Sequence, residues 1–174
     1  FETRNDGLIP EYLKMITYKT SVLVAAAMKM GVIIANNNAE EANAMYNFGL
    51  NLGIAFQLQD DYLDTFGDSA VFGKQIGGDI TENKKTFLYL KALEICTDVD
   101  KEQLLDLYNS NKKSQNKVGK VTQLFVKNKL DEITIHEIEF YTNKAFEVLE
   151  ELSISEEKKS ILKNFGLSLM KRTI

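Results

Sequence analysis

Proline occurs once in 174 residues, at Pro10, and the near absence of the strongest helix breaker constrains the fold more than any other property of the chain. Pro10 suits the first turn of a helix, where its missing N–H would have no partner anyway, and the residues after it run with few breakers to Ala35. Asn36-Asn37-Asn38 is a stop. A second helix is expected from about Ala39, with Ala42, Met45, Tyr46, Gly49, Leu52, Gly53, Phe56, Leu63 and Phe66 on a wide apolar face whose small residues admit a close neighbour. Gly67, Gly73, Gly77 and Gly78 mark a permissive loop, followed by a helix from about Thr81 to Cys96. Further helices are expected over residues 101–109, 112–129, 132–152 and 156–172. The third of these places Ile135, Ile138, Thr142, Ala145, Leu149 and Leu152 at three- and four-residue steps, and the last uses Ile161, Leu162, Phe165 and Leu169. No segment reads as a strand, so the fold class is all-α, a helical bundle forming one domain without internal repeats.

The chain is 44% hydrophobic with a net charge of −4, enough apolar material for one cored domain and too acidic for a nucleic-acid binder. Cys96 is the only cysteine, which excludes an internal disulfide and a cysteine zinc cluster and fits a reducing, cytoplasmic setting. His136 is also alone and is read as structural. The most apolar stretch, Ser21 to Ala35, is interrupted at Lys29 and falls short of the ~20 residues a membrane span needs, so it is expected to be a buried helix without stable membrane insertion. The opening Phe1-Glu2-Thr3-Arg4-Asn5-Asp6 lacks the basic start and apolar run of a signal peptide.

Against this apolar background, Phe56-Gln57-Leu58-Gln59-Asp60-Asp61-Tyr62-Leu63-Asp64 sets three carboxylates within five residues of one helix. At about 100° per residue, Asp60 and Asp64, Asp61 and Asp64, and Gln57 with both Asp60 and Asp61 share one side. Unit charges ~4 Å apart repel by roughly 1 kcal/mol in water and about 4 kcal/mol at an intermediate dielectric, which a bound divalent cation would reverse. The following loop supplies Gly73-Lys74, Asp79 and Lys84-Lys85-Thr86. Hard oxygen ligands beside lysines suit Mg²⁺ held against a diphosphate; a solvated acidic helix end before a mixed-charge loop is the alternative. Lys19-Thr20 is the other polar intrusion, between Met15-Ile16 and Val22-Leu23-Val24-Ala25: its amine either meets an anion or snorkels along the rim.

Phe56-Gln57-x-x-Asp60-Asp61-x-x-Asp64, followed by Gly73-Lys74, Gly78-Asp79 and Lys84-x-Thr86, resembles the second aspartate-rich region of the trans-isoprenyl diphosphate synthases, the polyprenyl synthetase family. Tyr12-Leu13-x-Met15-Ile16-x-x-Lys19-Thr20 resembles that family's Lys-Thr helix. The resemblance implies an isoprenoid synthase bundle. It also implies a prenyltransferase that condenses isopentenyl diphosphate head-to-tail with an allylic diphosphate and releases pyrophosphate. On the same basis Asp60, Asp61 and Asp64 are the Mg²⁺ set, led by Asp60, and Asp79 matches a further acidic position. Lys19 and Lys74 contact the allylic diphosphate with Lys84 as helper, Thr20 and Gln57 line the site near the reacting carbons, and Phe56 packs beside the isopentenyl unit.

The family works with two facing aspartate-rich regions, and these 174 residues contain only the second. The chain is therefore expected to be the C-terminal half of a single synthase domain, inactive alone, whose parent is a cytoplasmic homodimer. Positions 60, 64 and 68 are all Asp, unlike the mixed Asn/Asp, Ser/Thr and Glu pattern of terpene synthases. A non-catalytic helical subunit or interaction module with the same fold stays open at this point.

Overall fold

The computed structural model describes residues 7–35, 38–68, 76–109 and 116–171. It is all-α, with no strand among the described residues. The helices are α1 (Ile9–Ile16), a π-helical turn (Thr17–Ser21), α2 (Val22–Ala35), α3 (Ala39–Phe66), α4 (Gly78–Thr81), α5 (Phe87–Ile95), α6 (Asp98–Asn109), α7 (Lys117–Lys127), α8 (Leu130–Glu151) and α9 (Glu156–Met170). The helix anticipated from Thr81 to Cys96 divides: Asn83 takes a left-handed φ of 57°, and Thr86 opens α5 as its N-cap, accepting from Tyr89 N–H. α7 begins at Lys117, behind Asn116 at φ 70°, and residues 112–115 of the helix expected over 112–129 lie outside the described residues.

Two compact units make up the chain, one of Leu13–Gln59 with His136–Arg172, the other of Phe1–Tyr12, Asp60–Ile135 and Thr173–Ile174. In the first, Met45, Phe48 and Leu52 of α3 pack with Ala145 and Leu149 of α8 and with Leu152 just beyond its end in a buried core. The small residues of α3 bring α2 to backbone distance: a Cβ on Gly49 would lie 2.9 Å from Ala25 Cα, and one on Gly53 2.7 Å from Ser21 Cα. Gly166 of α9 lies under the Phe146 ring in the same way, so the buried face of α9 is built on a glycine, and Ile161 and Phe165, expected in the core, are exposed.

The helix anticipated from Pro10 to Ala35 is continuous but not buried. Its contact stripe is narrow because the crossing is so close: Ser21 and Ala25 are buried, whereas Leu23 is 75% and Ile34 86% exposed. This corrects the expectation of a buried Ser21–Ala35 helix. Ile9–Ala35 forms 27 helical residues with a mean hydropathy of 1.4 in its most apolar window, long and apolar enough to cross a membrane by length and composition.

In the other unit the buried side chains include Leu63, Ile80, Phe87, Leu88, Leu104, Val121, Leu124 and Phe125. Asp100, at the start of α6, is buried and held by Lys127 Nζ at 2.7 Å and Asn128 Nδ2 at 3.1 Å, which lowers its pKa. Gly77, at φ 79°, sits where any Cβ would overlap Val118 Cγ1.

Candidate active site

Asp60, Asp61 and Asp64 occupy the last two turns of α3, but their carboxylates have different surroundings. Asp61 is 6% exposed, and its Oδ2 accepts hydrogen bonds from Tyr12 Oη at 2.5 Å and Phe87 N at 3.2 Å. It thereby satisfies an N–H in the first turn of α5, one of the donors that a helix start leaves without an internal partner. Burial, then the negative charge of Asp61, holds the Tyr12 hydroxyl well above its ordinary pKa, so it remains a donor.

Asp64 is half-buried and anchors the turn that follows the loop. Its carbonyl accepts from Gly77 N at 2.6 Å and its Oδ2 from Asp79 N at 2.9 Å, fixing the start of α4 against the end of α3. Burial raises the Asp64 pKa, opposed by the Asp79 N–H. Asp60, half-buried, lies one helical turn before Asp64 on the same side of α3.

Lys84 Nζ reaches Asp79 Oδ1 at 2.8 Å and Glu82 Oε2 at 3.0 Å, and these two hydrogen bonds raise its pKa. Its amine thus stands among carboxylates, close in sequence to the Asp64-anchored turn. Lys117, which the sequence reading passed over, hydrogen-bonds Asn83 and places its Nζ 4.8 Å from the centre of the Tyr108 ring; burial lowers its pKa. Lys117 lies beside the polar run 111–116, whose sequence gives no sign of a long-range partner.

In the other unit, Thr20 Oγ1 donates to Gln57 Oε1 at 3.1 Å, so two sequence candidates 37 residues apart do meet. Lys19, beside Thr20 on the π-helical turn, is exposed, and Phe56 is half-buried. Lys74 and Gly73 lie outside the described residues. Tyr12 belonged to the motif without a role; a tyrosine in a mostly apolar helix carries no signal of a carboxylate 49 residues away.

Among the described residues, no three or more His, Cys, Asp or Glu side chains gather into a metal cage. The donor set is instead Asp60 and Asp64, one turn apart, with Asp61 bonded through Oδ2 to Tyr12 and Phe87. A pair of carboxylates fits Mg²⁺, which keeps waters or substrate phosphates in its shell and is usually bound through one or two carboxylates.

Residues 1–125 match the polyprenyl synthetase family. The chain is 42% identical over 110 residues to a short chain isoprenyl diphosphate synthase of Methanothermobacter thermautotrophicus, covering 63% of this chain and 34% of that one. It is 38% identical over 131 residues to a geranylgeranyl diphosphate synthase of Sulfolobus acidocaldarius, covering 75% and 40%. Its fold superposes on the crystal structure of a geranylgeranyl pyrophosphate synthase with a TM-score of 0.92 and 46% identity, over 100% of this chain and 54% of the other. The chain thus spans well under two thirds of the length of the relatives it matches. With the family match extending over most of its length and an all-α fold that superposes end to end, the chain belongs to the polyprenyl synthetase family.

Proposed function

We propose that these 174 residues are the C-terminal part of a single synthase domain and supply one side of the active site of a Mg²⁺-dependent prenyltransferase. The reaction is head-to-tail condensation of isopentenyl diphosphate with an allylic diphosphate. The allylic C–O bond breaks with its electron pair leaving on pyrophosphate, the isopentenyl double bond attacks the allylic carbon, and the proton lost from the isopentenyl unit passes to the departing pyrophosphate. The observation that carries this reading is the pair Asp60 and Asp64 one turn apart at the end of α3, with Asp64 tied to the Gly77–Asp79 turn. Asp60 and Asp64 would hold Mg²⁺, with Asp61 adding negative charge while its Oδ2 stays bonded. Bound there, Mg²⁺ would stabilise the charge that develops on the leaving diphosphate.

The chain's own residues bind and orient. Lys19, exposed on its turn, meets the allylic diphosphate as a point charge, and Lys74 is assigned the same role. Lys84 helps by exchanging one of its two carboxylate partners for a phosphate oxygen. Thr20 holds Gln57 in orientation near the reacting carbons, and Phe56 packs beside the isopentenyl unit. No covalent nucleophile is required.

The exposed stripe of Ile9–Ala35 supports a homodimer in which this helix lies at the interface. A cytoplasmic setting accords with Cys96, a buried free thiol. The reading is tested by assaying Mg²⁺-dependent prenyl transfer in the whole protein that carries these residues and in the 174-residue chain alone. Turnover is expected only in the former. Turnover by the short chain alone would sink the half-site reading, and none in either would sink the enzyme.

A further inference from the structure

The π-helical turn Thr17–Ser21 interrupts an otherwise α-helical run of 27 residues at the positions that carry Lys19 and Thr20. Val22 N–H donates to Thr17 O, five residues back, so the turn holds one residue more than an α-helix would. Its effect is visible in the burial pattern. Tyr12, Ile16, Ser21 and Ala25 are buried, at spacings of four, five and four. An uninterrupted α-helix would place Lys19 or Thr20 on the stripe after Ile16. In the π register Ser21 takes that place, Lys19 is exposed, and Thr20 stands half-buried with its hydroxyl on Gln57.

Close contact fixes this register. A Cβ on Gly53 would fall 2.7 Å from Ser21 Cα, 2.8 Å from Ser21 Cβ and 3.0 Å from Ser21 Oγ. Gln57, which receives the Thr20 hydroxyl, lies one turn along α3 from Gly53 on the same face. Ser21 Oγ is buried and has no hydrogen-bond partner among the described residues, so the observed contact between the two backbones is one of close packing.

We propose that Gly53 is a positioning residue: its backbone contact with Ser21 holds Thr17–Ser21 in the π register that presents Lys19 outward and Thr20 to Gln57. The role of Lys19 and Thr20 in substrate binding rests on the function proposed above; the register itself does not. The extra residue serves presentation and not packing, since removing it would leave the buried stripe at an unbroken four-residue spacing.

Two variants of the whole protein carry the test. Deletion of Tyr18, a 67% exposed side chain, should restore a plain α-helix, leave Tm unchanged or raised, and lower kcat at least ~10-fold with little change in the KM for isopentenyl diphosphate. Gly53→Ala is compared with Gly49→Ala, which meets Ala25 Cα at 2.9 Å in the same crossing but away from the turn. Both should lower Tm similarly, with kcat falling at least ~10-fold further in Gly53→Ala. Turnover within ~2-fold of wild type after the Tyr18 deletion, or failure of that variant to fold, overturns the proposal. So do equal kcat losses in the two glycine variants. Should Gly53→Ala fail to fold, the deletion decides alone. A wild type without prenyl transfer defeats the enzyme reading only. The register claim is then judged by the crystal structure of Gly53→Ala, where retention of both the Val22–Thr17 and Thr20–Gln57 hydrogen bonds overturns it and their loss supports it.

Discussion

Tyr12 Oη donates a 2.5 Å hydrogen bond to Asp61 Oδ2, the same oxygen that accepts from Phe87 N, so one buried carboxylate joins the start of α1, the end of α3 and the start of α5. Asp61 therefore has a structural duty, set by the two hydrogen bonds that its Oδ2 accepts. Hydrogen bonds to a charged group contribute about 1.5–3 kcal/mol, and orphaning a buried partner adds desolvation cost. Tyr12→Phe should lose roughly 1.5–3 kcal/mol and Asp61→Ala at least as much. Urea unfolding of the two variants decides it; wild-type stability of Asp61→Ala would remove the structural role.

The proposed metal role of Asp60 and Asp64 is tested by stabilisation on ligand binding. Mg²⁺ and pyrophosphate added together should raise Tm, because a ligand that binds only the folded state stabilises it by mass action. Asp60→Ala should abolish that rise. Asp64→Asn should also abolish it while keeping an oxygen acceptor for the Asp79 N–H, and so keeping the turn. In the whole protein either change should lower kcat by about 10²–10³-fold, the range seen when one charge-stabilising group is removed. A full Tm rise in Asp60→Ala would refute the assignment.

Buried tyrosines make alkaline pH a specific stress. Burial raises the pKa of Tyr12 and of Tyr108, with Asp61 next in effect on Tyr12 and Tyr89 next on Tyr108. Above the unfolded tyrosine pKa of about 10, the unfolded chain releases protons that the folded chain keeps. Stability is thus intact below pH ~10 and falls as pH rises toward the folded values. Urea midpoints should fall between about pH 9.5 and 11, and less steeply in Tyr12→Phe. A flat midpoint would contradict the burial of these hydroxyls.

The fold was legible where one physical signal dominated. The periodicity of Met45, Gly49, Leu52 and Gly53 announced α3, and the small residues on that face announced the close crossing that Gly49 and Gly53 make with Ala25 and Ser21. The candidate site was legible as a set of residues but not as geometry. Helical spacing put Asp60, Asp61 and Asp64 on one side, yet only tertiary partners 26 and 49 residues away draw Asp61 Oδ2 inward. The break before α5 was hidden because Lys84-Lys85-Thr86 is compatible with a helix interior, and Thr86 becomes a cap only when its hydroxyl meets Tyr89 N–H. The π turn had no sequence signal at all: a single extra residue is detected by the phase of burial, and the apolar residues of α1 and α2 are too uniform to reveal phase.

That uniformity also leaves two readings for the helix Ile9–Ala35, about 40 Å long at 1.5 Å per residue. As a membrane span it would carry Lys14, Lys19 and Lys29 within the apolar run, and Lys29 already donates to Asn43 Oδ1 at 2.8 Å on α3. A charge at the bilayer centre costs at least ~2.5 kcal/mol, whereas at an interface between two proteins the amines reach solvent at the rim while Leu23 and Ile34 are covered. The dimer reading therefore predicts that the whole protein sediments as a dimer without detergent and that Leu23→Asp with Ile34→Asp yields a helical monomer. Neither form should float with neutral phosphatidylcholine vesicles. Flotation of the wild type, lost in the double variant, would assign the stripe to lipid, and a wild-type monomer that stays soluble would exclude both.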